Sequence, residues 1–192
     1  YRNPGNSKLK IFSLENLRLA ISDKWQSFGQ VNQVLIVFAG IVTFGLSITM
    51  LMFAKQQSDF RNIKCLAMNV YHEARGEPTL GQYAVAVVTM NRVSSVRYPD
   101  DICRVVYQKG WSSKYQRYVA AFSWTQDQKT DVPKESLAWK NAVKVAKAVY
   151  QEEITNKAKV ADALFYHAEY VKPRWASQKS RVTKIGRHIF YK

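Results

Sequence analysis

The sequence predicts an α+β fold, a mainly helical domain with a small β-sheet, preceded by a single helix of transmembrane type. Three observations carry this. Residues 34–54 run without a charge and are dominated by Leu, Ile, Val, Phe and Met, enough to cross a hydrocarbon core of roughly 30 Å. Stretches 65–75, 80–93 and 136–153 are apolar at helical spacing or apolar almost throughout. Two short stretches, 163–168 and 182–191, have the aromatic and β-branched character of strands. No internal repeat or low-complexity tract interrupts this plan.

The chain has 192 residues, about one domain's worth. It divides into a basic tail with an amphipathic helix (1–33), the apolar span (34–54), a polar linker (55–64) and one globular domain (65–192). The formal net charge is +15, from 29 Lys and Arg against 14 Asp and Glu. That balance favours a polyanionic partner such as nucleic acid, an anionic membrane surface or an acidic glycan. No nucleic-acid motif stands out and the lysines are dispersed, so nucleic acid is the lesser reading.

In order along the chain, residues 1–12 read as a basic tail with a turn at Pro4 and Gly5. Ser13 can cap a helix in which Leu14, Leu17, Ile21, Trp25 and Phe28 form one apolar stripe ending at Gly29. That stripe suits a membrane interface or a partner protein equally. For Val34–Ala54 the alternative to a membrane span is a helix buried in a core. No small-residue cleavage site follows it, which argues against a removable signal peptide. Lys55, Arg61 and Lys64 follow the span while Arg18 and Lys24 precede it, so charge alone gives no orientation.

Residues Cys65–Glu77 are the stretch around which the domain is organised. On a helix, Leu66, Val70 and Glu73 follow at i, i+4 and i+7 and share one face. Gly76 and Pro78 then stop the helix, which puts Glu73 in its last turn at the edge of a cleft. A carboxyl group among apolar side chains has its charged form disfavoured, so its pKa rises toward that of a general acid. A surface carboxylate paired with Arg75 or a lysine is the alternative.

Residues 80–93 read as a central helix, with a buried strand as the alternative because of the valines. Tyr98, Pro99 and Asp100 mark a turn and cap before a short helix over 101–108. Between Lys109 and Lys134 no period is sustained, and Trp111, Tyr115, Tyr118, Phe122 and Trp124 serve either as core anchors or as walls of a sugar cleft. In the 136–153 helix, Trp139, Ala142, Val143, Ala146, Val149 and Tyr150 make the buried stripe and Lys140, Lys144 and Lys147 the outer face. Ala163–Ala168 reads as a strand, and 182–191 as a hairpin turning near Gly186 and Arg187.

The chemistry narrows by residue type. His72, His167 and His188 could gather into a zinc site with Glu73 as base, but no second His follows His72-Glu73 one helical turn on, so no metal or other cofactor is expected. No Gly-x-Ser-x-Gly elbow or local cysteine signature supports a nucleophile. Cys65 and Cys103 pair in an oxidising compartment or remain buried thiols. Carboxylate-driven cleavage of a glycosidic bond remains. Glu77 and Asp127 are the candidate second carboxylates and neither is compelling, which suits an enzyme needing one acid/base.

Four blocks of sequence together resemble the catalytic domain of the spore cortex-lytic, SleB-type cell-wall hydrolases of bacteria and phage. They are Tyr71-His-Glu-Ala-Arg-Gly-Glu77 with Gly81-Gln82 and Asn91-Arg92-Val93; Tyr98-Pro-Asp-Asp-Ile-Cys103 with Val105-Val106-Tyr107-Gln108; Phe122-Ser-Trp124; and Ala163-Leu-Phe-Tyr-His-Ala168 with Thr183-Lys-Ile-Gly-Arg-His-Ile-Phe-Tyr191. The resemblance covers about two thirds of the chain, residues 65–192. It implies a lysozyme-like fold and lytic transglycosylase cleavage between N-acetylmuramic acid and N-acetylglucosamine in peptidoglycan. Glu73 stands at the family's catalytic position. Gln82, Ser123, Trp124, Tyr166, His167 and Lys184 match other motif positions and are candidates for lining the glycan groove.

The sequence departs from that pattern at Ala120 and Ala121, where relatives commonly carry Cys-Gln. This motivates a second reading, a non-catalytic peptidoglycan-binding virion or envelope protein. The implied partners are glycan strands, a lipid bilayer through residues 34–54 and, in a phage setting, virion proteins. A murein substrate places the domain in the periplasm or outside, so the chain would run N-in, C-out; the phage setting instead packages it in a virion.

Overall fold

The computed structural model describes residues 14–27, 29–151, 160 and 162–192. The chain divides into two compact units, one ending at Ala54 and one comprising Lys55–Lys192.

In the first unit, helix α1 (Leu14–Ser27) is followed by the start of helix α2 (Gln30–Ala74). The Gln33 amide donates to the Trp25 carbonyl at 2.5 Å and ties the two helices together. Ile21 and Trp25 of the expected stripe are exposed; Ser13, Phe28 and the tail over 1–12 lie outside the described residues. Every residue of 34–54 is exposed, so no other described element covers this stretch as a core would. It is helical, and by length and composition it is able to cross a membrane. Its three hydroxyls need no outside partner: Thr43 donates to Gly40 O at 3.0 Å, Ser47 to Thr43 O at 2.8 Å and Thr49 to Leu46 O at 2.8 Å. Such back-bonding satisfies polar groups within an apolar helix.

One expectation is corrected here. Residues 55–64, read as a polar linker, are helical and belong to α2. The physical reason is that Lys55–Lys64 contains no Pro or Gly, so polarity alone gives no cause for the helix to stop. The helix ends at Ala74, just before Gly76 and Pro78.

The second unit is built around the end of α2. Leu66, Ala67 and Val70 are fully buried and pack with Ala84, Ala86 and Val88 of α3 (Thr79–Val93) and with Ala142, Val145, Ala146 and Val149 of α5 (Ser136–Tyr150). Helix α4 (Ile102–Val106) starts at Asp101, whose side chain accepts the Arg104 N–H at 2.9 Å. Cys65 and Cys103 form a disulfide, which closes the question of pairing and fastens α2 to the start of α4. The hydroxyl of Tyr71 accepts the backbone N–H groups of Lys134 and Glu135 at 3.1 and 3.2 Å, fixing the entry to α5.

The 109–134 region contains structure that no periodicity announced. Strands β1 (Lys109–Ser112) and β2 (Arg117–Ala120) form an antiparallel hairpin, followed by a 3₁₀ turn at Ser123–Gln126. Four-residue strands are too short to display a period. A second sheet has the order β3 (Phe165–Ala168), β5 (His188–Tyr191), β4 (Arg181–Ile185), all antiparallel, with Phe190 of the central strand fully buried. The hairpin β4–β5 turns at Gly186 and Arg187 as the sequence leads one to expect.

Candidate functional site

Glu73 lies in the last turn of α2, half-buried. Its Oε2 accepts the Tyr166 hydroxyl at 3.1 Å across 93 residues of sequence. Burial pushes the Glu73 carboxyl above the usual carboxylate range, and the Tyr166 hydrogen bond and the charge of Arg92 only partly oppose it. Burial, with the neighbouring Glu73 charge, in turn pushes the Tyr166 phenol well up, so it stays a donor. The arrangement presents a carboxyl whose protonated form is favoured by burial, with one oriented hydrogen-bond partner.

Tyr166 is positioned from α3. Asn91 donates to the carbonyls of Val160 and Ala163 at 3.2 and 3.0 Å, and Arg92 Nε donates to Leu164 O at 2.9 Å. The Arg92 guanidinium also lies over the rings of Tyr98 and Phe122. These bonds hold the chain entering β3, where Tyr166 pairs with Phe190 of β5. Asn91 and Arg92, one of the motif blocks, therefore hold Glu73's partner; the sequence signal was the motif alone.

Glu77 is buried and locked. Its Oε1 receives Arg187 Nε at 2.7 Å and its Oε2 the Arg187 backbone N–H at 2.8 Å. Burial pushes this carboxyl up, but the two Arg187 bonds together with the charges of His188 and Arg187 outweigh it and hold it below the usual range. A Cβ on Gly186, whose φ is +58°, would lie 2.1 Å from Glu77 Oε2. Only glycine leaves that oxygen room and adopts this φ without cost. Asp127, the other candidate second carboxylate, is exposed and accepts the Lys129 N–H at 3.0 Å in a local turn.

The remaining sequence-picked residues separate into two groups. Gln82 is buried and its amide donates to the Glu77 carbonyl at 3.1 Å. Trp124 is buried, stacks on His72 at 4.4 Å and donates its indole N–H to Asn69 at 3.3 Å. Asn69, which sequence reasoning missed, also donates to Thr89 at 3.1 Å. Ser123 and Lys184 are exposed, the latter paired with Glu169. His167 is half-buried, bonded through Nε2 to the Tyr191 hydroxyl at 2.9 Å and through Nδ1 to Ala168 O at 2.8 Å. A carbonyl only accepts, so Nδ1 carries the proton and Nε2 accepts from Tyr191 in the neutral ring.

The histidines are divided between elements. His72 bonds the Asp131 carbonyl at 3.1 Å, while His167 and His188 sit on the three-stranded sheet. Among the described residues no group of three His, Cys, Asp or Glu is placed to hold a metal ion. His72 and Trp124 form part of the wall of a cavity of about 300 Å³, with Tyr71, Arg75, Asp131 and Glu135.

Comparison with known proteins gives a consistent picture. The model of a family described as cell wall hydrolase matches residues 76–191. The spore cortex-lytic enzyme of Bacillus cereus is 31% identical over 133 residues, 68% of this chain and 44% of the relative; that of Oceanobacillus iheyensis is 29% identical over 132 residues, 68% and 41% respectively. This chain thus spans less than half the length of these curated relatives. The solved catalytic domain of the germination-specific lytic transglycosylase SleB from Bacillus anthracis superposes with a TM-score of 0.51 at 30% identity, covering 71% of this chain and 95% of that domain. The fold is therefore that of the SleB catalytic domain.

Proposed function

Because this chain belongs to the cell wall hydrolase family, we propose that it cleaves peptidoglycan as a lytic transglycosylase, at the bond between N-acetylmuramic acid and N-acetylglucosamine. The observation that carries this reading is the half-buried Glu73 carboxyl, raised above the usual carboxylate range by burial, with Tyr166 bonded to it at 3.1 Å. The Bacillus anthracis domain, described as a lytic transglycosylase, supports the reaction type.

In this mechanism Glu73 gives its proton to the glycosidic oxygen as the muramyl C1–O bond breaks, and the departing sugar leaves with a free hydroxyl. The resulting carboxylate then takes the proton of the muramyl 6-hydroxyl as O6 bonds to C1, closing an anhydro ring. Glu73 ends protonated and no water is consumed. One carboxylate suffices, which agrees with Glu77 being held by Arg187. Tyr166 orients the acid; Ser123, His167 and Lys184 are the side chains that meet the glycan in this reading, while the buried Gln82 and Trp124 brace the Glu77 carbonyl and the His72 ring.

The bilayer-length stretch 34–54 anchors the chain, and the domain acts in the periplasm or outside, where a disulfide such as Cys65–Cys103 persists. A tether in the cell envelope and a component of a phage particle are distinguished by whether the chain fractionates with envelope membranes or with purified virions.

The test is mass spectrometry of purified sacculi treated with the chain and with Glu73→Gln. Anhydromuropeptides are expected from the wild type, with the variant reduced about 10²- to 10⁴-fold. Reducing-end products would indicate water as the acceptor. Clearing by Glu73→Gln at the wild-type rate would reject the role of Glu73.

A further inference from the structure

The β1–β2 hairpin pairs with no third strand among the described residues, and isolated two-stranded hairpins are marginal. Its base is held: Ala121 N–H donates to Gln108 O at 2.9 Å, and Gln126 Oε1 accepts the Ala120 N–H at 2.9 Å. Beyond that base it exposes three large rings, Trp111, Tyr115 and Tyr118, at 56%, 57% and 61%. The register sets Trp111 opposite Tyr118, so they share a face, with their rings edge-to-face at 5.4 Å. Rings kept in water on a marginal hairpin call for a partner.

Charge identifies what that partner carries. From Ile102 to Gln126 there are four cations, Arg104, Lys109, Lys114 and Arg117, and no Asp or Glu. Arg104 is paired with Asp100, as Arg61, Arg75 and Arg187 are paired with carboxylates elsewhere. Lys109, Lys114 and Arg117 are exposed and form no ion pair among the described residues, although Lys114 lies over the Tyr115 ring at 4.9 Å. The complement is an anionic surface.

A free phosphate would satisfy the cations and leave the rings in water. An edge-to-face ring pair offers a nucleobase or a sugar no flat platform shared by both rings, and the hairpin has no carboxylate to receive sugar hydroxyls. A phospholipid headgroup layer accepts Trp and Tyr at any tilt and attracts Lys and Arg when anionic. We propose that the β1–β2 hairpin docks on an anionic phospholipid surface, with Trp111 and Tyr118 entering the headgroup layer and Lys109, on the same face as the rings, and Lys114, at the turn, meeting lipid phosphates. This docking is independent of the cleavage reading, and a Glu73→Gln chain docks as the wild type does.

The experiment is amide hydrogen exchange of the full chain with nanodiscs of pure phosphatidylcholine or of phosphatidylcholine with phosphatidylglycerol. Exchange over residues 109–120 is expected to slow about tenfold in the anionic discs and to recover in roughly 0.5 M salt. Lys109→Glu with Lys114→Glu should abolish the slowing, and Trp111→Ala with Tyr118→Ala should weaken it at unchanged charge. Unchanged exchange of α3 amides in each variant reports that the fold is retained. Equal exchange over 109–120 in the two lipids overturns the proposal. So does protection by isolated glycan strands or single-stranded nucleic acid with none from anionic lipid.

Discussion

At Glu73 two influences oppose each other, since burial favours the protonated carboxyl while the Tyr166 hydroxyl and the Arg92 charge favour the carboxylate. Tyr166→Phe removes the hydroxyl that favours the carboxylate along with the orienting bond. It is expected to lower muropeptide release about tenfold, the order of one hydrogen bond to a charged group. It should also move the Glu73-dependent limb of the pH–rate profile to higher pH, a shift that loss of fold alone would not give. Glycine 186 supports a second residue-scale prediction. Gly186→Ala places a methyl against the Glu77 carboxylate in a left-handed backbone, and should cost at least about 1–2 kcal/mol, read as a lower midpoint in denaturant. Its neighbour Arg187→Lys keeps a charge but loses the Nε donor that reaches Glu77 Oε1.

Among the elements, the fastening of α2 to α4 by Cys65–Cys103 closes a separation of 38 residues. Its removal in a Cys65→Ser, Cys103→Ser chain is expected to cost about 2–4 kcal/mol on the chain-entropy estimate, measured by thermal unfolding. The helices were legible because burial imposes a period: α3 and α5 lie close to the ranges that their apolar positions mark out. Helix α2 extends beyond its expected bounds because polarity does not stop a helix without Pro or Gly. The β1–β2 hairpin escaped notice because its strands are short and its rings point to water, which leaves no buried face to read. In the site, Glu73 was legible as a helix-face carboxylate. Its contact with Tyr166, and the bond of Glu77 to Arg187, join residues about a hundred positions apart, and no local pattern encodes such pairing. Gly186 was legible as a turn residue; the carboxylate that forbids a side chain there was not.

For the whole molecule, the two glutamates of the motif give stability opposite dependences on pH. Glu73 has a raised pKa in the folded state, so above the ordinary value of 4.5 the unfolded chain gives up its proton first and stability falls as pH rises through the folded value. Glu77 has a lowered one, so its contribution is complete above 4.5 and is lost as pH falls through the folded value. Glu73→Gln is therefore expected to be more stable than the wild type near neutral pH and to lose that advantage in acid, while Glu77→Gln is less stable near neutral pH; unfolding followed against pH checks both. A different consequence follows from β5 lying between β3 and β4. Tyr166 reaches Glu73 from a strand whose only partner within the sheet is β5, made more than a hundred residues after the acid. A chain cut after Ile185 is expected to release no muropeptides from sacculi.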